Sequence, residues 1–350
     1  MKAARLYGPR DLRIESVPFP VPPGPGEVLV QITAVGICGS DLHIYKDGGI
    51  EDTHISSPFI LGHEFAGVVR EVGPAATDGQ GLPLSIGQRV ALDPAMPCGY
   101  CEYCERGDPN LCPQIVFCGH YPEEGALSEF RRMPSRNCFP VPASISDAEA
   151  MLLEPLGVAL HALHLAKVRL GESAAILGAG PVGLLILSLA RLQGIRPLWV
   201  TEPLPWRAAL AERCGADRIM GPGEDPVQAI HKETQGRGVD VVFEAAWGEE
   251  TVQQAMEIAS PGGRVVLVGI SAEDRLSMKA SGMRRKGLTV KMSRRMKHTY
   301  PATIRIAEEG RIPLGMLVSH QYPLEQAAVA YEANARYAEG VVKVMISPQA

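Results

Sequence analysis

Residues 174–202 read AAILGAGPVGLLILSLARLQGIRPLWVTE, from Ala174 to Glu202. A short apolar run, Ala174 to Leu177, gives way to Gly178-Ala179-Gly180-Pro181-Val182-Gly183. Leu184, Leu185, Leu187, Leu189 and Leu192 then follow before Gly194. That order predicts a strand, a tight turn and a helix. Gly178 permits the sharp turn, Gly180 lets the backbone approach a pyrophosphate, and Gly183 lets the helix pack on the strand. Pro181 fits the first helical turn, where a missing N–H costs nothing. With Val182 it opens a helix whose free N–H groups face the phosphate charge. A second apolar strand, Leu198 to Thr201, ends in Glu202, an acid at the distance of about 20 residues that suits a ribose 2′-hydroxyl. The stretch therefore predicts a dinucleotide-binding unit.

Downstream, helices and strands alternate. Helix Trp206 to Cys214 is closed by Gly215, and strand Arg218 to Met220, helix Pro226 to Thr234 and strand Val239 to Glu244 follow. Helix Glu250 to Ser260, closed by Pro261-Gly262-Gly263, leads to strand Arg264 to Val268, and strand Leu288 to Met292 completes the set. Six parallel-type strands joined by helices make a doubly wound α/β fold. Ligands bind at the carboxyl edge of such a sheet, so Val268, Gly269 and Ile270 are expected to line the nicotinamide half of the site. Glu202 would repel a 2′-phosphate, which favours NAD over NADP. Arg207 on the next helix is the counterweight, because a nearby arginine can accommodate that phosphate. The basic run from Arg284 to His298 reads mainly as a solvated face, with Arg294 or Arg295 left for a role at the cofactor or substrate.

Upstream, Met1 to about Arg70 reads as short strands and turns. Two polar clusters stand out: Gly36-Ile37-Cys38-Gly39-Ser40-Asp41-Leu42-His43 and Gly62-His63-Glu64. Cys38, His63 and Glu64 lie at strand ends beside glycines. A thiolate, an imidazole and a carboxylate suit a catalytic zinc with one open position. Taken singly, they read as a small buried thiol, a hydrogen-bonded turn residue and a solvated charge. The segment Asp147 to Lys167 has helical period, with Ser146 or Asp147 as N-cap. Glu154 sits among its leucines, a costly place for an unpaired acid, and is a second candidate for the same ion.

Cys98, Cys101, Cys104 and Cys112 lie close enough in sequence to surround one tetrahedral ion, a closed structural zinc site. A redox Cys-x-x-Cys pair would not need the third and fourth thiols. Cys118, Cys138 and Cys214 lack such companions and read as core thiols. The 350 residues carry a formal charge of −5, with 46% hydrophobic residues. That balance gives no footprint for nucleic acid or a membrane surface. No apolar run approaches the roughly 18 residues of a membrane span, and the charged N-terminus lacks a signal-peptide core. A cytoplasmic address is expected. The length suits two domains.

Six ordered motifs carry a resemblance. They are GICGSDLHIY from Gly36, LGHEFAGVV from Leu61, the four-cysteine lobe, EPLGVALHAL from Glu154, GAGPVGLL from Gly178 and HQYPLEQA from His320. Over nearly its whole length the chain resembles the zinc-dependent medium-chain dehydrogenases, and most of all their sorbitol (polyol) and threonine dehydrogenase branch. The resemblance implies a GroES-like catalytic β domain (1–150 and 296–350, with the zinc lobe at 98–112) interrupted by a Rossmann NAD-binding domain (151–295), and catalytic zinc in the cleft between them. It matches Cys38, His63 and Glu64 to the catalytic zinc ligands and Glu154 to the glutamate near that metal. The alcohol dehydrogenase branch has a cysteine at the position of Glu154. Ser40 matches the hydroxyl that passes the substrate proton on, and His43 lies where related enzymes continue the relay. Arg295 corresponds to a substrate-side arginine, here flanked by Arg294 and Met296 where polyol dehydrogenases carry aromatics. The implied activity is oxidation of a secondary hydroxyl of a polyol (sorbitol, xylitol or galactitol-like) to a ketose with NAD. L-Threonine 3-dehydrogenase, another zinc alcohol dehydrogenase and a non-catalytic zinc-binding interaction protein are the alternatives. The resemblance also favours a homotetramer, or a dimer, acting on a small molecule.

Overall fold

In the computed structural model, which describes residues 1–350 except 51, 247, 271–274 and 350, the Ala174–Leu177 strand lies inside a six-stranded sheet. Every pairing in that sheet is parallel, and counted along the chain its strand order is 3-2-1-4-5-6. The order reverses on either side of Ala174–Leu177, which puts the glycine turn at the switch point of a doubly wound sheet. The helix after that turn, Pro181–Leu192, buries every residue from Gly183 to Ala190. A helix buried all round needs apolar or small residues on every face, and LLILSLA supplies them.

The next-to-last strand differs from expectation. The helix Glu249–Ile258 ends early, and the strand that follows runs Ala259–Leu267, through Pro261, Gly262 and Gly263. Its partner pairs Val239 with Ala259 but Val241 with Arg264, so the proline and glycines form a bulge rather than a helix stop. Pro261 and Gly262 are exposed there, where a proline removes no ladder hydrogen bond. Lys286, expected on a solvated face, instead donates from Nζ to the carbonyls of Met256, Glu257 and Ala259 at 3.2, 2.5 and 2.8 Å. It caps carbonyls at the end of Glu249–Ile258, that of Glu257 together with His231 Nε2 at 3.0 Å.

The chain divides into two compact units: Met1–Glu154 with Tyr300–Gly310 and Leu314–Ala350, and Pro155–Thr299 with Arg311–Pro313. The parallel sheet belongs to the second. The division falls within the helix Asp147–Ala166. That helix is opened by a capping box, in which Ser146 Oγ accepts the Glu149 N–H and Glu149 Oε2 accepts the Ser146 N–H.

The first unit is built on a seven-stranded sheet. Its path runs Cys138–Pro140, Arg89–Leu92, Glu64–Val72, Glu27–Gly36, Lys343–Ser347 and Val318–Pro323, with Phe130–Pro134 also pairing Glu27–Gly36. Glu27–Gly36 is the pivot. Its last residue, Gly36, pairs with Glu64 on one side and Met345 on the other, so it lies between the start of Glu64–Val72 and the C-terminal strand. The helix Tyr300–Glu308 is fixed to this unit by Tyr300, whose ring stacks on Phe139 at 4.5 Å and whose hydroxyl donates to the Leu92 carbonyl at 2.6 Å. In the 73–87 loop, buried Asp78 accepts the N–H groups of Gln80 and Leu82, so its polar residues shape a turn. No described helix is long and apolar enough to cross a membrane.

Candidate active site

The pairing of Gly36 with Glu64 decides the local geometry of the first unit. Cys38 follows Gly36 by two residues, and His63 precedes Glu64 by one. The ends of two neighbouring strands therefore deliver all three side chains to one place, and their ligand atoms lie within 4.8 Å of one another. Gly36 keeps the approach open. A Cβ there would stand 2.3 Å from Glu64 Oε2 and 2.9 Å from Met151 Sδ.

Cys38 is the N-cap of the helix Gly39–Asp47. Asp41, in the first turn, is wholly buried. One of its oxygens accepts the Cys38 N–H at 2.9 Å, and the other lies 3.2 Å from His63 Nδ1. With Nδ1 turned to a carboxylate, Nε2 is the nitrogen left for an ion. Burial opposes charge on the His63 ring, yet Asp41 and Cys38 beside it hold its pKa well above the ordinary value. Phe117 packs against the ring at 5.3 Å. One thiolate, one imidazole and one carboxylate on converging segments, with a carboxylate behind the imidazole, fit a three-ligand zinc site with an open fourth position.

Ser40 is half-buried on the first turn of the same helix, and His43 is buried one turn on. His43 Nδ1 lies 3.7 Å from Asp47 Oδ2. Burial, and then Lys46, lower its pKa despite Asp47, so the ring is mostly neutral at pH 7. Glu154 is also buried but falls outside the cluster of mutually close ligand atoms. It sits three residues after Met151, on the helix face that Met151 turns toward Gly36 and Glu64. That face borders the cluster. Sequence reasoning missed two residues. Asp41 lay unremarked inside the GICGSDLH motif, and Lys343 inside the apolar run VVKVMI; the lysine's ammonium meets both Glu64 oxygens, at 2.6 and 2.8 Å. A lysine in the middle of a closing strand was the available signal.

The second metal group is Cys98, Cys101, Cys104 and Cys112. Four of its sulfur–sulfur separations are 3.9, 3.5, 3.8 and 3.6 Å. Thiolates at about 2.3 Å from a tetrahedral zinc stand about 3.8 Å apart, so the quartet has the dimensions of a closed zinc site. The Cys98 thiol is drawn down to about 7, first by the backbone of Tyr100. Burial pushes Cys104 up to about 12. Among the described residues these two groups are the ones with three or more mutually close ligands.

In the second unit the glycine turn is drawn tight. Gly178 has φ 98°, and a Cβ on Gly183 would stand 2.0 Å from the Gly178 carbonyl oxygen. Pro181 and Val182 open the helix, as expected. Glu202, just past the Leu198–Thr201 strand, is 5% exposed; its two oxygens accept the N–H groups of Ala179 and Leu204, both at 2.9 Å. Each oxygen keeps a second lone pair for a ribose hydroxyl. Arg207 reaches back over the turn, and its Nη1 is the one neighbour within 4 Å of a Cβ built on Gly180, at 3.9 Å. Val268 and Gly269 both donate to the Glu244 carbonyl, at 2.8 and 3.1 Å, which with half-buried Ile270 fixes the backbone at the sheet's carboxyl edge. Arg295 lies between Thr289–Met292 and Tyr300–Glu308 with a left-handed backbone, φ 52°.

Two family models match, the alcohol dehydrogenase GroES-like domain over residues 24–143 and the zinc-binding dehydrogenase over 181–309. The sorbitol dehydrogenase of Bacillus subtilis is 36% identical over 349 residues, 99% of this chain and 97% of its own length. The chain belongs to the zinc-dependent medium-chain dehydrogenases, in the sorbitol dehydrogenase branch. Solved dehydrogenase structures superpose over nearly the whole chain. An Escherichia coli CFT073 short chain alcohol dehydrogenase complexed with NADH has a TM-score of 0.90 at 28% identity, covering 99% of both chains. A zinc-binding dehydrogenase of Sinorhizobium meliloti 1021 bound to NADP has 0.89 at 31%, also covering 99% of both. As a medium-chain dehydrogenase, the chain is an oxidoreductase whose first unit includes the GroES-like segment and whose second is the Rossmann-type sheet.

Proposed function

We propose that this dehydrogenase oxidises a secondary hydroxyl of a polyol to a ketone with NAD. The carrying observation is the convergence of Cys38, His63 and Glu64 within 4.8 Å, with buried Asp41 fixing the first two. A zinc ion held there supplies Lewis-acid polarisation of the substrate hydroxyl, and NAD supplies the hydride acceptor. The chain's own residues bind, orient and move the proton. Cys38, His63 and Glu64 hold the metal, and Ser40 Oγ takes the hydroxyl proton and hands it toward His43, whose neutral ring can accept it. Glu154, buried beside the cluster, and Arg295 are assigned to the substrate. In the other unit Gly178, Gly180 and Gly183 admit the pyrophosphate, Pro181 and Val182 present the helix start, and Val268, Gly269 and Ile270 border the nicotinamide.

Glu202 supports NAD over NADP. It stands buried behind the turn with lone pairs left for ribose hydroxyls, and a 2′-phosphate there would meet a carboxylate. Arg207 beside Gly180 supports a pyrophosphate contact as readily as a 2′-phosphate contact, so it does not reverse the preference. The resemblance to the polyol branch supports a cytoplasmic homotetramer. The test is a panel of sorbitol, xylitol, galactitol, L-threonine and a simple primary alcohol, each with NAD and NADP, read by nicotinamide absorbance. Polyol oxidation with NAD is expected to give the highest kcat/KM. A preference for L-threonine would move the enzyme to the threonine branch.

A further inference from the structure

Lys343 is 2% exposed and Glu64 1%, side chain against side chain. The ammonium lies 2.6 and 2.8 Å from the two carboxylate oxygens and 3.1 Å from the Ile37 carbonyl, one residue before Cys38. A buried ion pair that carried no further duty could be replaced by packed apolar residues at little cost. Its lysine lies in a mostly apolar strand and is joined directly to a member of the metal cluster. The carboxylate also lies close against Gly36, where a Cβ would stand 2.3 Å from its Oε2. Both oxygens face a cation already before a metal is considered.

We propose that Lys343 is a positioning residue that shares the Glu64 carboxylate with the catalytic metal. It weakens Glu64 as a ligand and keeps the ion electron-poor. The proposal rests on the reading of Cys38, His63 and Glu64 as the metal site. The thiolate and the carboxylate bring two negative charges, and the ammonium cancels one. With the lysine gone, the full carboxylate charge falls on the metal, which is then held more tightly and polarises a hydroxyl less. The contact with the Ile37 carbonyl adds a second effect, since it fixes the backbone that presents Cys38 relative to Glu64.

The test uses the full-length enzyme with cobalt(II) at the cluster and zinc kept in the four-cysteine lobe. Lys343→Met is expected to shift the cobalt d–d bands and to slow metal release to a chelator about tenfold or more, since a charge a few ångströms from the ion is removed. Lys343→Arg, which keeps the charge, is expected to return both toward wild type. A folded Lys343→Met enzyme with wild-type bands and release, or with faster release, overturns the proposal. Should Lys343→Met not fold, Glu64→Gln is compared with Glu64→Gln/Lys343→Met. An amide leaves the lysine no carboxylate to share, so removing it is expected to slow metal release by much less than tenfold, and a slowing of tenfold or more overturns the proposal. A wild-type chain that takes up metal in the four-cysteine lobe but none at the cluster fails the site reading itself, and the proposal falls with it.

Discussion

Asp41 stands 3.2 Å from Nδ1 of His63, and the aspartate is wholly buried. Through its other oxygen it also holds the Cys38 N–H, so one carboxylate orients two of the three cluster residues, one through its ring and one through its backbone. Asp41→Asn removes the charge behind the imidazole and places an amide where an acceptor was needed. Zinc affinity of the cluster is expected to fall about 10- to 100-fold, measured by chelator competition. The four-cysteine zinc should be unaffected.

The cysteine lobe is expected to answer differently. It has little apolar material of its own, so Cys101→Ser should release its ion, lower the melting temperature and weaken assembly while sparing the chemical step. Thermal unfolding, metal content and single-turnover hydride transfer separate these effects. A variant that keeps its zinc and melting temperature but loses the transfer rate would contradict the structural assignment.

Glu202 carries two duties, because its oxygens hold the turn through Ala179 and the following loop through Leu204. Glu202→Gln leaves one of those N–H groups facing an amide NH2, a loss of about 1–3 kcal/mol for a buried donor. The variant is expected to melt lower and to narrow the preference for NAD, as read from kcat/KM with each cofactor. A wild-type enzyme that prefers NADP would mean that Arg207 governs the pocket.

The parts visible in the sequence are those whose physics is local. GAGPVG constrains one turn, the four cysteines lie within fifteen positions, and both could be read from spacing alone. Pro261-Gly262-Gly263 is local too, but the same residues serve a helix stop and a bulge, and only the pairing of Val239 and Val241 chooses between them. Lys343 and Glu64 are 279 positions apart. Nothing near either residue predicts the contact, and its sole trace is a charge inside VVKVMI. Asp41 was hidden for the opposite reason. It lies so near Cys38 that its reach to His63 passed unread.

Asp217 gives an acid-dependent handle on the second unit. Burial alone would raise its pKa, but the Leu198 N–H, Arg191 and Arg196 outweigh it and hold the carboxyl below the ordinary value. As pH falls, the unfolded chain takes up the proton first. The stabilisation is therefore full above the ordinary carboxylate range and is lost as pH drops through the depressed folded value. Asp217→Asn is expected to flatten the acid limb of a stability-versus-pH curve, followed by denaturant melts. A limb unchanged by the substitution would place the acid sensitivity elsewhere.

The central claim is that Cys38, His63 and Glu64 hold a metal separate from the one in the cysteine lobe. Elemental analysis of purified wild-type and Cys38→Ser enzyme tests it most directly. The account predicts two zinc ions per wild-type chain and one per Cys38→Ser chain, with NAD binding retained and turnover lost. One zinc in the wild type, or two in a folded Cys38→Ser chain that still turns over, would contradict it.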